Sequence, residues 1–181
     1  MKSKLIKKNR ERSINSFPYQ VGWGFDVHKF TKKKKNLVLG GVKIKFPLGF
    51  EAVSDGDVVL HAVCDGLLGA ACLGDIGDYF LPGSPKSKNI KSIVIVRKVL
   101  TKISKEYEIA NIDITVVLEK PRLVRYKKEM LDSLRNIFDI DRVNIKIKSK
   151  EGLDILCGVN AVACFAAVLL RRIGNVKNKR N

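Results

Sequence analysis

Ile155-Leu156-Cys157-Gly158-Val159-Asn160-Ala161-Val162-Ala163-Cys164-Phe165-Ala166-Ala167-Val168-Leu169-Leu170 is the stretch on which the fold turns. Asn160 is its one strongly polar residue. A membrane-spanning helix needs about 20 apolar residues, and this run is shorter, alanine-rich and interrupted by Gly158. It reads as a buried helix in a core or subunit interface, ending near Arg172. Before it, Val143 to Lys148 alternates apolar and polar residues and predicts a strand. Met130, Leu131, Leu134 and Ile137 share one side of a helix from about Tyr126 to Phe138. Asn111 to Glu119 alternates cleanly, with Ile112, Ile114, Val116 and Leu118 on one face, and Pro121 ends that strand.

Further out, Lys91 to Tyr107 has helical spacing at Val96, Val99, Leu100 and Ile103. Residues 75–89 read as a loop with Gly77, Pro82, Gly83 and Pro85. A helix opens at Ser54-Asp55-Gly56-Asp57 and runs to about Cys72. Ser54 is its expected cap, and Asp57, three residues on, suggests a capping box. Val21 to Asp26 and Leu37 to Phe46 read as the first two strands, joined by a polar turn at Lys32–Asn36. Gly40-Gly41 inside the second run suggests a bulge or a close backbone approach. The order β-β-α-α-β-α-β-α implies an α/β (α+β) protomer, a four-stranded mixed sheet with helices on one face.

The 181 residues are 45% hydrophobic and 29% charged, enough for one cored domain and against disorder throughout. Four cysteines in 181 residues are too few for a disulfide scaffold, and Cys64, Cys72, Cys157 and Cys164 form no CxxC pair, which argues against a cysteine zinc ribbon. The free-thiol pattern suits the cytoplasm. Net charge is +17, and residues 1–12 and 171–181 supply +10 of it. Lys32 to Lys35 add a further basic run. No basic face interleaved with aromatics appears, so a nucleic-acid partner is not expected, and nor is a membrane. Three segments are expected: a basic, disordered extension at 1–19, a domain at 20–172 and a basic tail at 173–181. Residues 1–19 carry no apolar core of signal-peptide type. If they belong to a transit segment, a plastid-type organelle replaces the cytoplasm.

Asp26-Val27-His28 is the sharpest chemical feature. Residues i and i+2 of a strand point to the same face, so both side chains project together at a strand end. The chain's only other histidine, His61, lies one helical turn after Asp57. Two histidines and a carboxylate make a three-ligand zinc site with an open fourth position, the catalytic form of such sites. Asp65, one turn beyond His61, is placed to steer its ring. Taken singly, each histidine also has a structural reading as a satisfied core or cap residue. Spacing alone does not show that His28 and His61 meet.

Five segments then assemble into a resemblance: Gly22-Trp23-Gly24-Phe25-Asp26-Val27-His28, Leu39-Gly40-Gly41-Val42, Ser54-Asp55-Gly56-Asp57-Val58-Val59-Leu60-His61-Ala62, Asp65-Gly66-Leu67-Leu68-Gly69-Ala70 and Leu73-Gly74-Asp75-Ile76-Gly77. Over roughly 20–172 the chain closely resembles the 2-C-methyl-D-erythritol 2,4-cyclodiphosphate synthases of the non-mevalonate isoprenoid pathway. The resemblance implies conversion of 4-diphosphocytidyl-2-C-methyl-D-erythritol 2-phosphate to the cyclodiphosphate and CMP. It implies a homotrimer with its sheets packed around the three-fold axis and its sites at subunit interfaces. It also implies one Zn2+ per subunit and a second divalent ion, Mg2+ or Mn2+.

Carried over residue by residue, Asp26, His28 and His61 become zinc ligands that also meet substrate, and Glu151 holds the second ion. Ser149 falls on a catalytic threonine that stabilises the transition state. Ser54, Asp75, Ile76, Gly77, Lys148 and Lys150 fall at substrate positions. Leu118, Glu119, Lys120, Pro121, Arg122, Leu123 and Val124 fall on the stretch that cradles cytosine. Lys148 and Asp154 resemble plant-type members. Val53 departs from the family, standing where a histidine is usual. Losing one such donor costs about 10²–10³ in rate. Lys148 or Lys150 is the expected replacement, and the alternative is a catalytically weakened homologue acting as a binding or regulatory protein. Gly158 stands where other members carry an arginine in the trimer-axis cavity, so an isoprenoid diphosphate is not expected there. Leu81-Pro82-Gly83-Ser84-Pro85 replaces an Asp-rich loop and reads as a lid.

Overall fold

A computed structural model of the chain describes residues 18–32, 36–52, 54–81, 90–153, 156, 158 and 160–173. Val53, Asp154 and Pro82 to Pro85 lie outside the described residues, as do residues 1–17, residues 174–181 and Lys33 to Lys35.

From Ala161 onward the apolar run is a strand, not a helix. β7 (Ala161–Arg172) is hydrogen-bonded on both edges. It pairs antiparallel with β1 (Tyr19–Thr31) and antiparallel with β5 (Tyr107–Val117). Cys164, Ala166, Val168 and Leu170 are buried in the core. Phe165, Ala167 and Leu169 turn to the opposite face, which is also apolar. An apolar residue on both faces erases the alternation that marks a half-exposed strand, and the alanines then imitate a helix.

The sheet therefore has five strands, not four, in the order β4-β1-β7-β5-β6. β4 (Gly49–Phe50) extends the β1 edge antiparallel. β6 (Val143–Lys148) pairs parallel with β5, which makes the sheet mixed. The expected single strand at 37–46 is a separate hairpin of β2 (Leu37–Leu39) and β3 (Val42–Ile44). Gly40 and Gly41 make its turn at φ +59° and +77°, a region that glycine enters at little cost.

Among the described residues, three α-helices complete the fold: α1 (Val58–Ala70), α2 (Ser92–Ile103) and α3 (Lys127–Phe138). The amphipathic α3 buries Met130, Leu134 and Phe138. Helix α1 lies directly across β1. A Cβ on Gly24 would stand 1.9 Å from the Ala62 carbonyl oxygen, and one on Gly22 would stand 1.9 Å from that of Gly66. Those glycines are a seat for the α1 backbone, which brings α1 to the strand that carries Asp26 and His28. The other face of β1 shows Tyr19, Val21, Trp23 and Phe25 to the outside.

Asp57, not Ser54, caps α1. Its carboxylate accepts the Val59 and Leu60 N–H groups at 3.1 Å each. It also accepts those of Gly40 at 2.9 Å and Gly41 at 2.7 Å. One buried side chain thus fastens the β2–β3 turn to the start of α1. Burial pushes its carboxyl up to about 6, against the opposing pull of those N–H groups. Ser54 accepts the Gly56 N–H at 2.9 Å, closing the loop before the helix.

Candidate metal centre and active-site cleft

β1 points Asp26 and His28 toward α1, and the first turn of α1 returns His61 to meet them. Asp26 Oδ2 lies 2.9 Å from His61 Nδ1 and 3.1 Å from His28 Nε2. The two ring nitrogens are 3.5 Å apart. Zinc–ligand bonds of about 2.0–2.1 Å in a tetrahedral set separate neighbouring ligand atoms by about 3.3 Å. The three observed distances bracket that value, so the donor set fits such an ion by chemistry and by spacing. This is the one cluster of metal-ligating groups found among the described residues.

Burial alone would raise the Asp26 carboxyl. Hydrogen bonds from His28 and His61, with their charge, win and hold it well below the usual carboxylate range. Burial works to lower His61, but the bond to Asp26 and the charges of Asp26, Asp57 and Asp55 raise it above its ordinary value. The triad opens into a cleft of about 240 Å³, lined also by Ser54, Ile76, Gly77 and Phe80.

Ile76 and Gly77 sit in a single 3-10 turn (Ile76–Asp78) with Asp75 as its N-cap, built by reciprocal caps. Asp75 accepts the Gly77 N–H at 2.7 Å, and Asp78 accepts the Asp75 N–H at 3.1 Å. Asp65, expected to steer the His61 ring, instead accepts the Ile76 N–H at 2.9 Å and anchors this turn to α1. Burial pushes Asp65 up to about 6, with the Ile76 bond opposing and the charges of Asp75 and Asp26 adding to the rise. The outer nitrogen of His61 meets a residue the sequence argument passed over. Ser92 Oγ, at the start of α2, lies 2.9 Å from Nε2. The same Oγ donates to Asp55 Oδ1. No local spacing announces a contact over 31 residues; the legible sign was a serine opening a helix with no acidic residue in its first turn.

The remaining site candidates gather at the same end of the sheet on the far strands. Leu118 N–H donates to the Lys148 carbonyl at 3.0 Å, and Lys150 N–H donates to Glu119 Oε2 at 2.8 Å. The Leu118–Val124 stretch and the Lys148–Glu151 stretch are therefore neighbours. Within the first, Leu118 and Leu123 are buried, while Arg122 and Val124 are exposed and Lys120–Pro121 is a cis peptide. Ser149 Oγ donates to Glu151. The Lys150 ammonium is buried and donates to the carbonyls of Leu156 and Ala161, at 3.1 Å each, and of Gly158. It is directed into its own loop. β7 and β5 stand between the strand of the triad and the strand of Ser149 and Glu151. At about 4.8 Å per strand, that separation is about 14 Å.

Fold and cleft define an α+β enzyme whose site is built around a carboxylate and two histidines. The family model for the YgbB family matches residues 19–171, and the chain belongs to that family. A Francisella philomiragia protein named 2-C-methyl-D-erythritol 2,4-cyclodiphosphate synthase is 40% identical over 159 residues, 85% of this chain and 99% of its own length. Among solved structures, the bifunctional IspDF of Campylobacter jejuni matches with a TM-score of 0.81 and 35% identity over 87% of this chain and 43% of its own. A CDP complex of Plasmodium falciparum IspF matches with a TM-score of 0.75 and 31% identity over 88% of this chain and all of its own.

Proposed function

We infer that this chain is a 2-C-methyl-D-erythritol 2,4-cyclodiphosphate synthase, a CMP-releasing lyase. One observation carries the reading: in a YgbB-family chain, Asp26, His28 and His61 converge at the mouth of a cleft with their ligand atoms about 3 Å apart. In the reaction a 2-phosphate oxygen attacks the β-phosphorus of the diphosphate. The bond from that phosphorus to the oxygen bridging it to the α-phosphate breaks, and CMP leaves with that oxygen. The obstacle is the approach of two anions, together with orientation. Zinc on the triad, and magnesium or manganese at Glu151, would supply charge neutralisation of the phosphates.

The chain's own residues do the rest. Ser54, Asp75, Ile76 and Gly77 hold the erythritol part in the cleft. The Leu118–Val124 stretch takes cytosine, and Lys148 lies beside it for the phosphates. Ser149 donates its hydroxyl to the charge that develops at phosphorus. We further infer a homotrimer with sheets around a three-fold axis. The outward face of β1 and β7 supports this, where Trp23, Phe25 and Phe165 pack ring to ring with centroids 5.0–6.4 Å apart. The two half-sites are about 14 Å apart in one chain, and a neighbouring copy brings them together. None of the described helices is long and apolar enough to cross a membrane, and a cytoplasmic or plastid-type location suits the free thiols of Cys64, Cys72 and Cys164.

The test is CMP release from 4-diphosphocytidyl-2-C-methyl-D-erythritol 2-phosphate with zinc and magnesium, beside a Val53→His variant. Turnover by the parent, stopped by a chelator, is the expected result. A silent parent with an active Val53→His variant means a weakened homologue. Silence from both, with zinc bound, overturns the assignment of the site.

A further inference from the structure

We propose that Asp55 and Ser92 are the positioning residues of the metal centre: a carboxylate–hydroxyl relay that fixes the His61 ring and turns its Nδ1 lone pair toward the ion. The proposal rests on the reading that the triad binds zinc. The geometry determines where the protons are. His61 Nδ1 is the inner nitrogen, 2.9 Å from Asp26 Oδ2 and 3.5 Å from His28 Nε2. Nε2 is the outer nitrogen, 2.9 Å from Ser92 Oγ. Ser92 is fully buried, and its hydroxyl has a single proton to place. Both Asp55 oxygens accept the Ser92 N–H at 3.1 Å, and Asp55 Oδ1 also meets Ser92 Oγ. A carboxylate has no proton to give, so the hydroxyl donates to Asp55 and turns a lone pair to Nε2. Nε2 must then be the nitrogen that carries hydrogen in neutral His61, which leaves Nδ1 free to ligate.

Metal-binding histidines commonly donate their other N–H to a carboxylate or carbonyl, which fixes the ring and strengthens the ligand. Here a serine stands between imidazole and carboxylate. The parts come from separate elements: His61 from α1, Asp55 from the loop before it and Ser92 from the start of α2. Helix α2 has no side-chain cap at its own Lys91 N-cap, and Asp55 supplies one from across the chain. The pair therefore also holds α2 in place, so a test must separate ligand tuning from folding.

The experiment is zinc affinity, measured by competition with a chromogenic chelator, on the full chain and on Ser92→Ala, Ser92→Thr and Asp55→Asn. Urea midpoints and the visible spectrum of the cobalt-substituted proteins are recorded alongside. Ser92→Ala keeps the Asp55 bond to the backbone N–H but loses the relay. It should weaken zinc binding about 10–100-fold and alter the cobalt spectrum. Ser92→Thr restores the hydroxyl and should recover most of the affinity. Asp55→Asn keeps an acceptor of the same shape without the charge and should fall between parent and Ser92→Ala. Parent-like affinity and an unchanged cobalt spectrum in folded Ser92→Ala overturn the relay alone. So does an affinity loss in all three variants that simply follows their urea midpoints. A parent that takes up no zinc overturns the metal reading itself, and the relay with it.

Discussion

At the scale of single residues, the centre is a carboxylate and two imidazoles competing for the same protons. His61 is raised above its ordinary value of 6.5, and Asp26 is held below its own of 3.8. The signs differ. A raised histidine stabilises the fold fully below 6.5 and loses that contribution as pH climbs through its folded value. A lowered carboxylate contributes above 3.8 and loses that as pH falls toward its folded value. The metal-free protein should therefore lose stability as pH rises from 6.5 into the alkaline range, and it should do so less in His61→Gln. Urea midpoints of chelator-treated protein at successive pH values check this. Zinc binding should run the other way. The ion needs the Nδ1 lone pair, so each displaced proton makes affinity climb about tenfold per pH unit until His61 is neutral. Affinity that is flat with pH, beside apo stability that is also flat, would remove His61 from the centre. The Asp26–His28 pair was legible in the sequence because strand spacing put both on one face, whereas His61 joined it only through the family resemblance, since spacing alone does not show that the two histidines meet. The Ser92 contact was not legible, because it joins residues brought together only by the packing of α2.

At the scale of elements, legibility followed asymmetry. β5 and β6 were readable because one face of each is polar: Asp113 and Lys146 pair across the exposed side. α3 was readable because its apolar side is narrow and its other side is charged. β7 was not, because its two faces are both apolar and period 2 leaves no trace. Gly22 and Gly24, just before the metal motif, are the bearing on which α1 rests. The atoms nearest a methyl at Gly24 are all backbone of α1, with the Ala62 oxygen at 1.9 Å and the Gly66 nitrogen at 2.6 Å. Backbone cannot rotate away as a side chain can. Overpacking of cores costs about 1–3 kcal/mol in most sites, and Gly24→Ala should lie at or beyond the upper end, about 3 kcal/mol or more. It should also weaken zinc binding, because Asp26 and His61 sit on the two elements forced apart. Gly69→Ala is the contrast. It lies in the same helix with open space around it, so removing backbone freedom there should stabilise by about 0.5–1 kcal/mol. Equal urea midpoints for the two variants would show that α1 does not bear on β1 in the way the structure describes.

At the scale of the whole molecule, the proposed reaction needs both the triad and the Ser149–Glu151 stretch, which lie at one end of the sheet but on strands about 14 Å apart. His28 stands level with Val162, and Val117 is level with Ala163 on one side and Lys148 on the other. The triad and the Ser149–Glu151 stretch thus share a row without sharing a cleft. In a ring of identical copies, the triad of one protomer can face the Glu151 stretch of the next, a head-to-tail arrangement that closes. Complementation follows from that geometry. His61→Ala and Glu151→Gln should each be inactive alone. Unfolded together at equal amounts and refolded, they should regain activity. A mixed trimer of either composition contains one interface where an intact triad meets an intact Glu151, and random mixing makes three-quarters of trimers mixed. About a quarter of the parent's sites are then rebuilt. The measurement is CMP release from the co-refolded mixture against each variant refolded alone, with the oligomer size read by sedimentation. Recovery near a quarter requires sites shared between copies. No recovery from correctly sized mixed oligomers would mean that each chain closes its own site, and the 14 Å would then have to be spanned by the substrate or by movement of the chain.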